Sequence, residues 1–456
     1  MSSESSYLGL LDDALRMLQA GFAHLPRAGT RLDGDAAREA LEAAALRMRD
    51  NFPYAHPLYV GQMLKPPHPV ALLAYALAMH VNPNNHALDG GRASSAMEKK
   101  AVAALARMFG WSTHLGHLTG GGTMANLEAL WIARELAPGQ VVLASEQAHY
   151  THARLSGVLG VPFRAVATDA SGRMSLESLE RELAAGDVGT VVATLGTTAA
   201  GAVDPLPEIL DLRDLLGFRL HADAAYGGYF TLAGNLGADA RAAYDVIGEA
   251  DSIVVDPHKH GLQPYGCGAV LFRDPSVGRF YRHDSPYTYF SSDELHLGEI
   301  SLECSRPGAA AVALWTTQRM LPLERGGEFA RSLERGRGAA LALHAALTRD
   351  PRVAVLAAPQ LDIVTWVVRA GSASAASSHA RRVFESAAAR DLHLALATFP
   401  RAMVESCGAV GAWDAPGVTA LRACVMKPEH ADWLPEILAR LDRATTEALG
   451  AESPAR

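Results

Sequence analysis

Apolar and polar positions divide the chain into three stretches with different rhythms. In the middle, short apolar runs alternate with amphipathic segments. VVLAS (141–145), TVVATLG (190–196), FRLHADAA (218–225), SIVVD (252–256) and GAVLFR (268–273) read as strands. ANLEALWIARELA (125–137) and SLESLERELAAG (175–186) carry the helical spacing between several of them. Repeated βα units predict an α/β fold with a mainly parallel central sheet covered by helices on both faces. Residues 1–95 form an N-terminal segment of helices and loops. AAREALEAAALRMRD (36–50) predicts a helix capped by Asp35, and a further helix is expected over Ser95–Phe109. Between them, the proline-rich NFPYAHPLYVGQMLKPPHP (51–69) predicts an ordered arm without regular structure. The large domain is expected over 96–330 and a small α+β domain over 331–456. The latter has a helical stretch ERGRGAALALHAALTRD (334–350), strands LDIVTWVVRA (361–370) and TALRACVMK (419–427), and a closing helix PEILARLDRATTEAL (435–449). GSASAASSHA (371–380) reads as a loop leading into a helix start.

Composition narrows the function classes. With 49% apolar and 20% charged residues, a chain of 456 residues is an ordinary globular protein with a large core. A net charge of −8 without a basic tract argues against nucleic-acid or anionic-membrane partners. The four cysteines are far apart and form no CxxC pair, which argues against a disulfide framework or zinc site and suits a reducing cytosol. The N-terminal MSSESSYLGLLDDALRM is acidic where a secretory signal is basic, and no apolar run reaches membrane-spanning length. A cytoplasmic location is the expectation.

Four segments carry candidate chemistry. In HLTGGGTMANLEALWIAR (117–134), glycines and a threonine precede a helix, so backbone N–H groups and the helix dipole converge on an anion such as phosphate. It is neither GxGxxG nor a P-loop, and a tight turn is the plain alternative. In FRLHADAAYGGY (218–229), Asp223 and Ala225 share one strand face. A carboxylate beside a small methyl leaves room for a flat ring with a protonated nitrogen; a turn-capping aspartate is the alternative. In SEQAHYTHARLSG (145–157), His149 follows a strand, where its imidazole could stack on a planar ligand. His149 and His152 stand three apart, but no carboxylate or thiol at matching spacing completes a zinc site. In DPHKHG (256–261), Lys259 lies between two apolar runs, where burial favours the neutral, nucleophilic amine, and His258 beside it could donate to a phosphate. A solvated loop lysine is the alternative.

Together these segments offer a phosphate cradle, a stacking imidazole, a carboxylate for a pyridine nitrogen and an aldehyde-trapping lysine, the set that pyridoxal 5′-phosphate requires. DPHK after a strand, with HADAAYGG upstream and SEQAH and ATLGTT besides, resembles the group II pyridoxal-phosphate-dependent amino acid decarboxylases of the aspartate aminotransferase fold (fold type I), over roughly residues 55–430. The resemblance implies that Lys259 condenses with the cofactor aldehyde and that Asp223 pairs with the pyridine nitrogen. Ala225 and His149 would lie on opposite ring faces. Gly121, Gly122 and Thr123 would hold the phosphate with His258, and Thr198 would lie near the ring substituents. Arg422 matches an arginine that helps fix the substrate carboxylate. Ser305, in SRPGA, resembles a phosphate contact made from a neighbouring subunit, which implies a homodimer with active sites between subunits. The family's proton donor is a loop tyrosine, here Tyr287 or Tyr289, with a slight preference for Tyr289.

Departures matter too. Gly120 and Met124 replace a serine and an acidic residue common in relatives, so the phosphate grip should lean on backbone donors. His260 stands where aromatic decarboxylases commonly carry tryptophan, which weakens an aromatic-substrate inference. The expected activity is decarboxylation of an L-amino acid to an amine and CO2. An aminotransferase or carbon–carbon lyase on the same cofactor is the alternative, and a non-catalytic cofactor-binding protein is a third. An acidic substrate would want a further cation, for which Arg92, Arg282 and Arg401 are candidates. Leu64–His68 and His86–Arg92 lie where relatives contribute substrate-pocket residues.

Overall fold

The computed structural model describes residues 4–26, 29, 32–86, 88–282 and 301–450. Tyr287 and Tyr289 lie outside the described residues.

The central sheet has seven strands: β1 (Leu115–Thr119), β2 (Val141–Ser145), β3 (Phe163–Val166), β4 (Val188–Thr194), β5 (Arg219–Asp223), β6 (Ser252–Val255) and β7 (Gly268–Phe272). Their spatial order is β1-β7-β6-β5-β4-β2-β3. β7 runs antiparallel to both of its neighbours, and the run from β6 to β3 is parallel throughout. β2, β6 and β7 are buried along their whole length. That explains why they read as continuous apolar runs rather than alternating ones. β1 and β3 escaped the sequence reading because LGHLT mixes glycine and histidine into the strand and FRAV is only four residues long. Alternation along β5 is what matters for function. Leu220 and Ala222 go into the main core, while His221 and Asp223 face the helix Gly122–Leu136, where His221 reaches Asn126.

A second sheet is antiparallel, in the order β11-β13-β9-β8. Its strands are β8 (Val353–Val355), β9 (Ile363–Val368), β11 (Ala395–Pro400) and β13 (Gly417–Cys424); β10 (Ala370–Ser372) and β12 (Val410–Ala412) pair separately. Helices Glu328–Thr348, Ala373–Ala388 and His430–Gly450 cover it, with Leu343, Trp366, Val383, Leu421 and Ile437 in the shared core. Ser372 caps the second of these helices by accepting from the Ala375 N–H, so the alanine- and serine-rich stretch is helical from residue 373.

The proline-rich arm is ordered as expected. Its Leu58 and Val60 enter the core of the second sheet, and backbone bonds from Val60 to His393 and from Cys424 to Val60 pin it there. Two helix starts differ from expectation. The cap of Gly34–Met48 is Asp33, which accepts from the N–H groups of Asp35 and Ala36, whereas Asp35 lies in the first turn. Both aspartates suit a helix start, but only Asp33 has the extended backbone a cap needs. The helix expected from Ser95 begins at Leu88 and tolerates a non-helical Gly91. Helix Gly34–Met48 buries no side chain, and Leu41, Leu46 and Met48 are exposed on it. No described helix is long and apolar enough to cross a membrane.

Candidate active site

The loops at the C-terminal ends of β4, β5 and β6 meet the glycine loop after β1 around a cavity of about 520 Å³. Ligands collect at this edge of a parallel sheet because the strands end there and the loops are free to vary. Gly121, Gly122, Thr123, His149, Thr198, Asp223, Ala225, His258 and Lys259 all line it, as the sequence suggested. Distant segments thus converge on one volume.

At one end, the helix Gly122–Leu136 opens with no side-chain cap, leaving its first N–H groups to an anion. Two glycines make this possible. Gly121 has φ +152°, and a Cβ on Gly122 would fall 2.7 Å from Asp256 Oδ2. Glu303 already rests a carboxylate on this loop, accepting from the Gly120 N–H at 2.9 Å. Lys259 stands beside it, about one-fifth exposed, with Nζ 3.0 Å from Asp256 Oδ2. His258 Nε2 lies 3.5 Å from the same oxygen. Asp256 Oδ1 and His258 Nδ1 are buried without a hydrogen-bond partner. Burial lowers the pKa of His258 and also that of His149, so both imidazoles tend to be neutral.

At the other end, Asp223 sits in a polar cage. Its Oδ1 accepts from the Ala225 N–H at 3.1 Å. Its Oδ2 faces His152 Nε2 at 2.8 Å and accepts from Asn126 Nδ2 at 3.4 Å. Asn126 Oδ1 in turn meets His221 Nε2 at 2.8 Å, and His221 Nδ1 meets Ser252 Oγ at 2.9 Å. Burial alone would raise the Asp223 carboxyl. The hydrogen bond from His152 and the charges of His152, His221 and Lys259 outweigh it and hold the group below the ordinary carboxylate range. Burial pushes His221 down to about 3.

Other expected residues stand elsewhere. Arg422 is buried in β13, outside the cavity wall; Nη1 reaches the Gly61 carbonyl at 3.4 Å, while Nε and Nη2 have no partner. Ser305 is exposed and accepts from Asn84 Nδ2 rather than facing the cavity. Arg92, Arg282 and Arg401 are exposed and do not line it, and Arg401 pairs with Glu405. Four functional neighbours were missed by sequence reasoning: Asn126, His152, His221 and Asp256. His221 was legible in principle, since it shares a strand face with Asp223. Spacing alone offers His152 only as a metal partner of His149, because it says nothing of the carboxylate 71 positions away. Tyr226 also lines the cavity and donates to Asp362 at 2.6 Å, joining the loop after β5 to the residue that precedes β9.

These residues fit pyridoxal phosphate on their own terms. A glycine cradle that a methyl would close suits the phosphate, a held carboxylate suits the ring nitrogen, and an amine between them suits the aldehyde. When bound, the cofactor supplies an electron sink for the pair released at the substrate's Cα.

Comparison with known proteins agrees. Residues 131–369 match the model of the pyridoxal-dependent decarboxylase conserved domain. L-tyrosine decarboxylase of Enterococcus faecium is 30% identical over 364 residues, covering 58% of this chain and 60% of that protein. The chain thus spans less than two thirds of that relative's length. L-aspartate decarboxylase of Thermococcus kodakarensis is 27% identical over 337 residues, 73% of this chain and 85% of the relative. The crystal structure of Oryza sativa TDC with PLP and tryptamine superposes with a TM-score of 0.77 at 20% identity, over 98% of each chain, which shows a shared fold. With the glycine cradle, Asp223 and Lys259 converging as they do, the chain belongs to the pyridoxal-dependent decarboxylase family, and pyridoxal 5′-phosphate is its cofactor.

Proposed function

We propose that this protein decarboxylates an L-amino acid to the amine and CO2. The observation that carries the reading is the placing of Lys259, Asp223 and the open helix start at Gly122 around one cavity, in a chain of this family. In this reading Lys259 would hold the cofactor through its amine. Its carboxylate neighbour Asp256 orients Nζ at 3.0 Å. Asp223, kept anionic by its cage, holds a proton on the ring nitrogen. Ala225 and His149 would confine the ring, with Thr198 beside it. Gly121, Gly122, Thr123 and the neutral His258 take the phosphate. Arg422, with two unpaired guanidinium nitrogens, is the residue assigned to the substrate carboxylate. Tyr289 or Tyr287 is assigned the proton delivered to Cα.

The large domain is taken as residues 96–330 and the small one as 331–456. A cytoplasmic homodimer fits the chain best. Helix Gly34–Met48 leaves Leu41, Leu46 and Met48 exposed, and Ser305 could reach a partner's site. The four thiols are unpaired. Related proteins act on tyrosine and aspartate by name, so the test is a panel of single amino acids that includes both. Equimolar amine and CO2 from one of them supports the reading. Keto acid formed only when an acceptor is supplied would replace it with aminotransfer.

A further inference from the structure

The carboxylate of Asp223 has four acceptor sites, and the protein fills three of them. Ala225 N–H takes one on Oδ1; Asn126 and His152 take both on Oδ2. Each donor's direction is forced. A carboxylate only accepts, so Asn126 must present Nδ2 to it and Oδ1 to His221. His221 Nε2 therefore carries its proton, and Nδ1 accepts from the Ser252 hydroxyl. His152 must likewise hold its proton on Nε2. The one remaining acceptor site belongs to Oδ1, and Asp223 lines the cavity.

His152 is not needed to keep this carboxylate satisfied, because two other donors already serve it. Nor does it pack as an inert core group. It is 1% exposed, and its Nδ1 is buried without a partner, a penalty of about 1–3 kcal/mol that an apolar residue would avoid. The imidazole instead stands 2.8 Å from the carboxylate assigned to the ring nitrogen. Around it stand Asp223, His221 at 6.4 Å between ring centroids, and the charge-coupled His149.

We infer that His152 is a positioning residue: its Nε2–H and the cofactor's ring N–H share one carboxylate, so His152 sets the orientation of Asp223 and how tightly the ring proton is held. The inference rests on the proposed pairing of Asp223 with the ring nitrogen. It assigns His152 no contact with substrate or cofactor.

The test uses full-length protein loaded with pyridoxal phosphate and four variants. His152→Phe keeps an aromatic ring but removes the donor. His152→Gln keeps an N–H donor without an imidazole, and His152→Leu replaces the Phe variant if that protein does not fold. Asp223→Asn reports on the parent reading. Dissociation constants for pyridoxal phosphate and the pH midpoint of the bound cofactor's visible absorbance are measured beside kcat and KM. His152→Phe should weaken cofactor binding about tenfold and move the absorbance midpoint. It should also lower kcat while leaving KM nearly unchanged, and His152→Gln should restore most of each. Binding and midpoint as in the wild type for His152→Phe, or equal impairment in His152→Gln, would overturn the inference. If Asp223→Asn itself leaves the spectrum and affinity unchanged, the pairing with the ring nitrogen is what fails; if only the His152 variants are silent, that pairing stands.

Discussion

The two ends of the cavity are built differently. Around Asp223 the protein supplies three donors and leaves one acceptor site open: two strands and a helix meet in a chain of hydrogen bonds from Ser252 to the carboxylate. Around Lys259 the groups look outward. The helix start is uncapped, and Asp256 Oδ1 and His258 Nδ1 lack partners. A carboxylate from Glu303 leans on the glycine loop. One end is largely set by folding, with a single acceptor site left for a ring N–H, and the other is completed by an anion and an aldehyde. Substitutions at the first should therefore change how strongly a ring proton is held, whereas those at the second should change attachment and affinity.

The largest effect is expected at the open end. Lys259→Ala should lower turnover by about a thousandfold or more while leaving non-covalent cofactor binding measurable by fluorescence. Loss of binding with retained turnover would reverse the roles of the two ends. A smaller effect is expected from Gly122→Ala. Its methyl would meet Asp256 Oδ2 at 2.7 Å, so the carboxylate or the loop must move. Stability should fall by about 1–3 kcal/mol, and cofactor affinity should fall with it in a titration. Unchanged affinity would mean that the loop is not the phosphate cradle.

The finished end predicts a pH effect instead. Burial holds His221 at about 3, against about 6.5 for an unperturbed histidine. On acidification the unfolded chain takes up this proton first. The contribution of His221 is thus complete above pH ~6.5 and is lost as the pH falls toward 3. In His221→Gln, which keeps a donor for Asn126, urea unfolding at pH 7 and 4.5 should show about 2 kcal/mol less acid loss than in the wild type. Equal loss in both proteins would place the acid sensitivity elsewhere.

The open end was the more legible one in the sequence, and the reason is physical. Its chemistry lies in contiguous runs, GGGT and DPHK, where glycine and lysine are conspicuous between apolar elements. The sheet was legible for the same reason, through buried strands such as VVLAS and SIVVD. The cage at Asp223 was not, because His152, Asn126 and His221 come from three elements and each alone resembles an ordinary polar residue. Their roles appear only when the parallel register sets β5 beside β6 and brings the helix over it. Arg422 shows the converse: its motif is intact, yet it does not line the cavity, and its Nη1 donates to the Gly61 carbonyl.

The most direct measurement is borohydride reduction of the protein loaded with pyridoxal phosphate, followed by peptide mapping. A single reduced pyridoxyl group on the peptide carrying Lys259 is the predicted result. Label on another lysine, such as the buried Lys65 or Lys427, or no label at all, would contradict the account.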